Sequence, residues 1–199
     1  DSDAVERLSI QTGTLLGYPL SSFSNHVSAT PNHQVGRITS LTFRQNVAMF
    51  GPLGYELDLF NLTSEEKQAI QTQIAFYKQH RQLLTFGIFY QVQPIGQGNE
   101  VAWAVYDPQQ EKALIGFFRV LAQANPTAEA FLPLRFIDPT QVYQANDEKV
   151  SGQILKQIGL RKPYQFNGVN PGTAQVTGDF QSYVYHLQLA EKKEQTDDE

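Results

Sequence analysis

Carboxylates and imidazoles are the side chains of this sequence that could carry out acid–base or metal chemistry. The chain has 199 residues, with 20 Asp and Glu, 4 His and no Cys. Two carboxylates that act on one bond must converge in space. Asp1 and Asp3 are close in sequence, whereas Glu65 and Glu66 suit a helix start and Asp107 precedes a proline in a turn. No pair of carboxylates is convincing from its spacing alone.

The histidines do not have the spacing of a metal site. His26 and His33 are separated by a loop without an acidic companion, whereas metal ligands recur at short intervals, as in H-E-x-x-H. His80 lies in a polar helical stretch, and His186 alternates with apolar strand residues. The sequence also lacks G-x-S-x-G, G-x-G-x-x-G and P-loop motifs. We therefore expect neither a metal nor a cofactor.

Composition excludes several classes of partner. The net charge is −5 and the sequence pI is about 5.4, so no basic stripe is available for nucleic acid. No apolar run approaches the roughly 20 residues that span a bilayer, and we expect no signal peptide. We expect no membrane partner. The lack of cysteine fits a reducing compartment, and we expect a cytoplasmic protein.

The first part of the chain is expected to alternate helices with short strands. Ser2 suits the N-cap of a helix that extends to Thr14. Residues 25–29 have strand character, residues 31–37 form a polar loop, and residues 41–50 form a second helix. That helix ends at a Gly-Pro pair, which is a strong stop signal.

A longer helix follows, and its start is well marked. Thr63 and Glu66 have the spacing of a capping box, and apolar residues then recur at helical intervals until Gly87. We expect the apolar faces of this part to be too few to enclose a core of their own. The residues expected to lack partners are Val5, Leu8, Leu15 and Leu16.

Short runs with strand character replace helices in the second part. They are residues 88–93, 101–106, 113–121, 131–136 and 180–189. Their spacing of about ten residues, with turn residues between them, predicts an antiparallel β-sandwich. Asp147 and Glu148 are expected in a polar loop. The expected domains are residues 1–86 and residues 87–190, with a charged tail over residues 191–199.

Several blocks of sequence carry a resemblance to a known family. They are DSDAVERL (1–8), NHVSATPNHQVGR (25–37), GYELDL (54–59), IAFYK (74–78), GNE (98–100) before Ala102-Trp103, FFRVL (117–121) and GDFQS (178–182). In this order they resemble the α-galactosidases of glycoside hydrolase family 36. The resemblance implies a fold class of α/β plus all-β, in which the last segments of a (β/α)8 barrel precede an antiparallel β-sandwich. Residues 25–29 would be the eighth barrel strand, and residues 31–37 its C-terminal loop.

The resemblance also implies an activity and its residues. The family consists of retaining enzymes that hydrolyse terminal α-D-galactosyl residues of oligosaccharides such as melibiose and raffinose. The resemblance also implies that the protein is a homo-oligomer, namely a tetramer. The nucleophile lies in a K-x-D motif that this chain lacks. The acid/base lies in S-D-[DN]-[ST]-D-A, whose last four positions match residues 1–4, so no catalytic residue is expected within the chain. A register shifted by one position would make Asp1 the acid/base. His26, Asn32 and His33 are the expected substrate-binding residues.

Two alternatives remain open at this stage. The chain could be a non-catalytic β-sandwich module for carbohydrate binding or subunit packing, with Trp103 stacking on a sugar ring. An exposed Trp103 would favour this alternative, and a buried one would make the residue structural. The enzyme could also act on α-N-acetylgalactosaminides or transfer galactose, because the specificity loops would lie outside this chain.

Overall fold

The computed structural model describes residues 1–127, 129–164 and 178–191. Two helices alternate with two strands in the first part of the chain: α1 (Ala4–Leu15), β1 (Asn25–Ser28), α2 (Leu41–Ala48) and β2 (Leu53–Glu56). The long helix α3 (Ser64–Phe86) then leads to the sheet. The capping box of α3 is confirmed, and Gly87 is its C-cap.

Helix α1 begins one residue later than expected. Asp3, and not Ser2, is its N-cap, and the Asp3 carboxylate accepts the N–H of Glu6 at 3.1 Å. The Ser2 hydroxyl is not available for capping because it bonds to Asn32 and Gln34 instead. A carboxylate at this position also complements the partial positive charge of the helix start.

Strands β1 and β2 form a parallel pair, with α2 as the crossover between them. This is the β–α–β–α arrangement of a (β/α)8 barrel. The assignment of residues 25–29 as the eighth strand was wrong, because β2 follows β1 and pairs with it. The sequence did not reveal β2, since four residues that include Gly54 carry no alternating pattern. The two strands are the last two of the barrel.

The second part is an antiparallel six-stranded sheet, as predicted. Its strands in chain order are β3 (Ile88–Gln93), β4 (Glu100–Asp107), β5 (Lys112–Arg119), β7 (Val142–Ala145), β8 (Glu148–Ser151) and β10 (Gln181–Leu189). Their order across the sheet is β3-β4-β5-β10-β7-β8. The strand expected over residues 131–136 is only the short β6 (Phe131–Leu132), which pairs with β9 (Leu160–Arg161).

One face of the large sheet packs against β6, β9 and the short helix α4 (Gly152–Gln157). Leu132, Leu155 and Leu160 from this layer share a buried cluster with Ile115 and Tyr143 of the sheet. The large and small sheets therefore enclose one core, which fits the predicted sandwich.

The other face of the sheet packs against the helices. Leu8 of α1, Phe50 after α2 and Leu84 of α3 are buried in one cluster with Trp103 and Phe118. The expectation that the apolar faces of the first part lack partners was therefore wrong for most of them. Leu8 and Leu15 are buried, and Val5 packs against this cluster, whereas Leu16 is exposed. The missing partners come from β4 and β5.

Among the described residues, no helix is both long enough and apolar enough to cross a bilayer.

Candidate functional site

An open, polar cleft of about 300 Å³ lies beside the β1–β2 pair. The residues that line it are Asp1, Ser2, Arg7, His26, His33, Gln34 and Glu56. Ser28 and Glu56 are register partners at the C-terminal ends of the two strands. Because active sites of (β/α)8 barrels lie at the C-terminal ends of the strands, this cleft is on the face expected to carry function.

The floor of the cleft depends on a glycine. His26 of β1 is opposite Gly54 of β2, and a Cβ at Gly54 would lie 2.7 Å from Cδ2 of His26. Only a residue without a side chain leaves room for the imidazole in this position. Neighbouring residues in parallel register face the same side of a sheet, so His26 and Glu56 both face the cleft.

The loop after β1 is closed by its own hydrogen bonds. The Asn32 side-chain oxygen accepts the N–H groups of Gln34 and Val35 at 2.9 and 3.2 Å. The Asn32 N–H donates to the Arg37 carbonyl at 2.8 Å, and Gly36 adopts a φ of +67° to complete the turn. Asn32 is buried, with 5% of its surface exposed.

This loop contacts the residues at the start of the chain. The Ser2 N–H and hydroxyl both donate to Oε1 of Gln34 at 3.1 Å. The Asn32 amide donates to the Ser2 hydroxyl at 3.1 Å, and the Ser28 hydroxyl donates to the Ser2 carbonyl at 2.7 Å. Every polar group of Ser2 is thus bonded to β1 or to its loop.

The neighbouring acidic residues differ in environment. Asp3 is buried, and its carboxylate forms an ion pair with the guanidinium of Arg37. Asp1 is exposed and lines the cleft, and its Oδ1 accepts the Asp3 N–H at 2.8 Å. Among the described residues, Asp1 and Glu56 are the carboxylates that line the cleft.

Arg7 closes the other end of the cleft. Its guanidinium donates to the side-chain oxygen of Asn25, and its Nε donates to Gln11 at 3.3 Å. Burial lowers the pKa of Arg7. With two carboxylates, two imidazoles, an amide and a guanidinium, the cleft can donate and accept hydrogen bonds to a ligand rich in hydroxyls.

The structure brings Asp1, His26 and His33, three of the candidate site residues named from the sequence, to one cleft. Asn32 does not line the cleft, and its side chain bonds within the protein instead. Sequence reasoning missed Arg7 and Glu56. The block that contains Glu56 was visible, but its approach to His26 depends on the pairing of β1 with β2.

Trp103 and the remaining histidines lie away from the cleft. Trp103 is fully buried between the helices and the sheet, so the residue that would have stacked on a sugar in the alternative module is structural. His80 and His186 pack against each other and against Phe76. No group of metal-ligating residues occurs within residues 1–127, 129–164 and 178–191.

Comparison with known proteins agrees with this architecture. The Melibiase family model matches residues 1–87, and the model of the glycosyl hydrolase family 36 C-terminal domain matches residues 100–187. Alpha-galactosidase AgaA of Geobacillus stearothermophilus is 42% identical over 193 residues, which are 96% of this chain and 25% of that protein. Alpha-galactosidase 1 of Pediococcus pentosaceus is 39% identical over 189 residues, or 94% of this chain and 24% of that protein.

Solved structures give the same result. A variant of the Geobacillus AgaA in complex with raffinose superposes with a TM-score of 0.86 and 42% identity, over 95% of this chain and 25% of that one. The α-galactosidase of Lactobacillus brevis gives a TM-score of 0.86 and 36% identity, over 96% and 26%. The chain spans about a quarter of the length of these relatives. Both halves of the chain match one family in sequence and in structure, and the chain belongs to glycoside hydrolase family 36.

Proposed function

We propose that these residues are the C-terminal part of a retaining α-galactosidase, which hydrolyses terminal α-D-galactosyl residues of oligosaccharides such as melibiose and raffinose. The observation that carries this proposal is the 42% identity to an α-galactosidase over 96% of the chain. The polar cleft at the C-terminal ends of β1 and β2 supports it, because a galactoside carries several hydroxyl groups that both donate and accept hydrogen bonds.

The reaction would proceed in two steps. A carboxylate attacks the anomeric carbon, the bond from that carbon to the leaving oxygen breaks, and an acid carboxyl gives that oxygen its proton. The same acid/base group, now a carboxylate, takes a proton from water as the water oxygen attacks the anomeric carbon. Galactose leaves with its configuration retained, and the nucleophile is free again. The two carboxyl groups must lie about 5–5.5 Å apart.

The chain would supply one side of this arrangement. It has no K-x-D motif, so the nucleophile would come from outside residues 1–199. The acid/base would be the residue joined to Asp1, or Asp1 itself if the register is shifted by one. Either position is next to the cleft, because Asp1 lines it.

The test compares the full-length protein that contains these residues with residues 1–199 alone. We expect the full-length protein to hydrolyse raffinose and 4-nitrophenyl α-galactoside, and NMR to show the α-anomer of galactose first. Residues 1–199 alone should show no turnover, because removal of a nucleophile costs several orders of magnitude in rate. An inactive full-length protein, or activity only on α-N-acetylgalactosaminides, would overturn the proposal. Galactosyl transfer would appear as longer oligosaccharides.

His33 provides a test of the cleft itself. We propose that His26 and His33 face the galactoside, because both line one cleft. His33→Ala in the full-length protein should raise KM or lower kcat several-fold, since hydrogen bonds to the substrate would be lost. His80→Ala, far from the cleft, is the control. Unchanged kinetics for His33→Ala would mean that this loop is a solvated surface.

The location and assembly of the protein are also proposals. We infer a cytoplasmic homo-oligomer, a tetramer, from the absence of cysteine and from the family resemblance. Light scattering of the full-length protein gives the subunit number directly, and a monomer would contradict this inference.

A further inference from the structure

We propose that the loop after β1 acts as a clamp that holds residues 1–3 in place, and so positions the acid/base carboxyl for proton transfer. The clamp consists of Ser28, Asn32, Gln34 and Arg37. This inference rests on the proposed function, and it assigns to these residues a positioning role rather than a contact with the sugar.

The clamp holds Ser2 by hydrogen bonds to its main chain and its side chain. Four hydrogen bonds of 2.7–3.1 Å reach its N–H, hydroxyl and carbonyl from Ser28, Asn32 and Gln34. Two of these bonds involve the main chain of Ser2. They therefore determine the path of the backbone at this point, which a contact with the serine side chain alone would not do.

The clamp is itself rigid. Asn32 is buried, its side-chain oxygen accepts two N–H groups of its own loop, and its amide remains free to donate to Ser2. The main-chain bonds from Asn32 to Arg37 and from Gly36 to Asn32, both 2.8 Å, close the loop. A side chain held by its own loop loses less conformational freedom when it bonds a second segment.

Arg37 connects the clamp to the second part of the chain. Its guanidinium pairs with the buried carboxylate of Asp3, which also caps α1. The same guanidinium lies 5.7 Å from the centre of the Phe180 ring, just before β10. A cation over an aromatic ring is attracted by the negative face of the ring. The sheet thus contributes to the position of residues 1–3, although it lies behind the barrel strands.

The exact position of the acid/base carboxyl affects the rate of proton transfer. A general acid must lie within about 2.6–3.2 Å of the oxygen that it protonates, and a displacement of about 1 Å can cost a hundredfold in rate. The acid/base is joined directly to Ser2 if it is Asp1, or is separated from Ser2 by one residue if it precedes Asp1. Loss of the clamp should therefore weaken acid catalysis more than it weakens substrate binding.

The experiment uses the full-length protein and two substrates that differ in their need for an acid. The leaving group of raffinose is a sugar alkoxide, which requires protonation, whereas 4-nitrophenolate leaves readily without it. For Asn32→Ala and Gln34→Ala we expect kcat/KM on raffinose to fall about tenfold or more, within the range of general acid catalysis. On 4-nitrophenyl α-galactoside, kcat/KM should change less than about threefold, since bond cleavage there needs little proton transfer.

A second readout separates positioning from general damage. The same carboxylate serves as base in the second step, so the glycosyl-enzyme should accumulate with the nitrophenyl substrate, and kcat and KM should fall together. A merely structural defect would not produce this pattern. Gln97→Ala is the matched control, because Gln97 is exposed in the β3–β4 connection.

The outcomes are distinguishable. An equal loss on both substrates, or no loss on either, would overturn the clamp while leaving the α-galactosidase proposal intact. Failure of the unmodified full-length protein on both substrates would instead overturn the proposed function. If Asn32→Ala does not fold, Gln34→Ala decides, because the Gln34 side chain is exposed and its removal leaves no cavity.

Discussion

The indole of Trp103 is tied to helix α1 by one hydrogen bond. Its Nε1 donates to the Thr12 hydroxyl at 3.0 Å, and that hydroxyl donates to the Leu8 carbonyl at 2.7 Å. Both Trp103 and Thr12 are buried. A buried indole N–H without an acceptor costs free energy, so this single contact links the position of α1 to that of β4.

Thr12→Val tests this contact with little change in shape. The free energy of unfolding should fall by about 1–3 kcal/mol, because the indole N–H loses its acceptor in a site that water cannot reach. Urea denaturation measures the change. Thr14→Val is the control: Thr14 makes the same kind of bond, to Ile10 at 2.8 Å, but on an exposed surface. The free energy of unfolding of Thr14→Val should fall by less than about 0.5 kcal/mol.

His80 of α3 and His186 of β10 meet at a second contact between helix and sheet. Their ring centres are 5.3 Å apart, and Phe76 packs against both. Burial lowers the pKa of His186, and burial together with the charges of His186 and Lys112 lowers the pKa of His80. The fold therefore favours the neutral form of both rings.

This pair should make stability depend on pH. Because the unfolded chain binds protons more readily, stability is greatest above the ordinary histidine pKa of 6.5 and falls as the pH drops through the lowered values. Melting temperatures measured between pH 7.5 and 5 should show this loss. His186→Phe should reduce this loss, because it removes one of the two imidazoles whose pKa is lowered. An unchanged slope in His186→Phe would contradict the assignment.

At the scale of elements, strand β5 shows how closely helix and sheet approach. A Cβ at Gly116 would lie 2.8 Å from Phe50 and from Phe118. Phe50 packs edge-on against Trp103, with ring centres 5.5 Å apart. Gly116 therefore leaves room for an aromatic cluster that a larger residue would displace.

Two glycine substitutions should have opposite effects. Gly116→Ala should destabilise the protein by about 1–3 kcal/mol, because the packed rings cannot move aside. Gly13→Ala, exposed in the last turn of α1 with no atom near its Cβ position, should stabilise it by about 0.5 kcal/mol through helix propensity. Chemical denaturation of both variants gives the comparison. A stabilising Gly116→Ala would show that the cluster can rearrange.

Local signals explain which elements the sequence could predict. The capping box at Thr63 and the apolar spacing after it specify α3. Short runs of apolar and aromatic residues between turn residues specify β3, β4, β5 and β10. Asp147 lies in a polar turn, as expected, but Glu148 is the first residue of β8 and not part of a loop. The β7–β8 hairpin itself was missed. Its two-residue turn contains Asn146 with a φ of +49°. Asparagine tolerates this conformation, so an Asn-Asp pair between two short runs was a usable signal.

The candidate site was predictable only in part, for a similar reason. Asp1, His26 and His33 belong to blocks that are recognisable in sequence. The approach of Glu56 to them depends on long-range pairing between β1 and β2, and no local pattern encodes this register.

At the scale of the whole molecule, helices and sheet share one core. The cluster that contains Leu8, Phe50 and Leu84 from the first part also contains Trp103 and Phe118 from the second. Periodicity changes at about residue 87, so sequence patterns predict two domains there. Periodicity describes each element separately, however, and it does not show which surfaces pack together.

This shared core predicts the behaviour of the separate parts. Residues 1–199 should unfold in one transition, monitored equally by helical circular dichroism and by fluorescence of Trp103, the only tryptophan. Residues 88–191 alone should aggregate, because the face that carries Trp103 loses its cover and becomes a large apolar patch. Co-expression with residues 1–87 should restore solubility. Two separate transitions, or a soluble monomer of residues 88–191, would contradict this prediction.

The position of Trp103 between helix and sheet also bears on how such proteins can exchange sequence during evolution. A gene crossover near Gly87 would join helices from one parent to a sheet from another. Phe50 would then pack against side chains that did not evolve together with it. Even small mismatches in a packed interior are costly. Viable chimaeras should therefore have crossovers upstream of α1, so that the last two barrel strands and the sheet are inherited together.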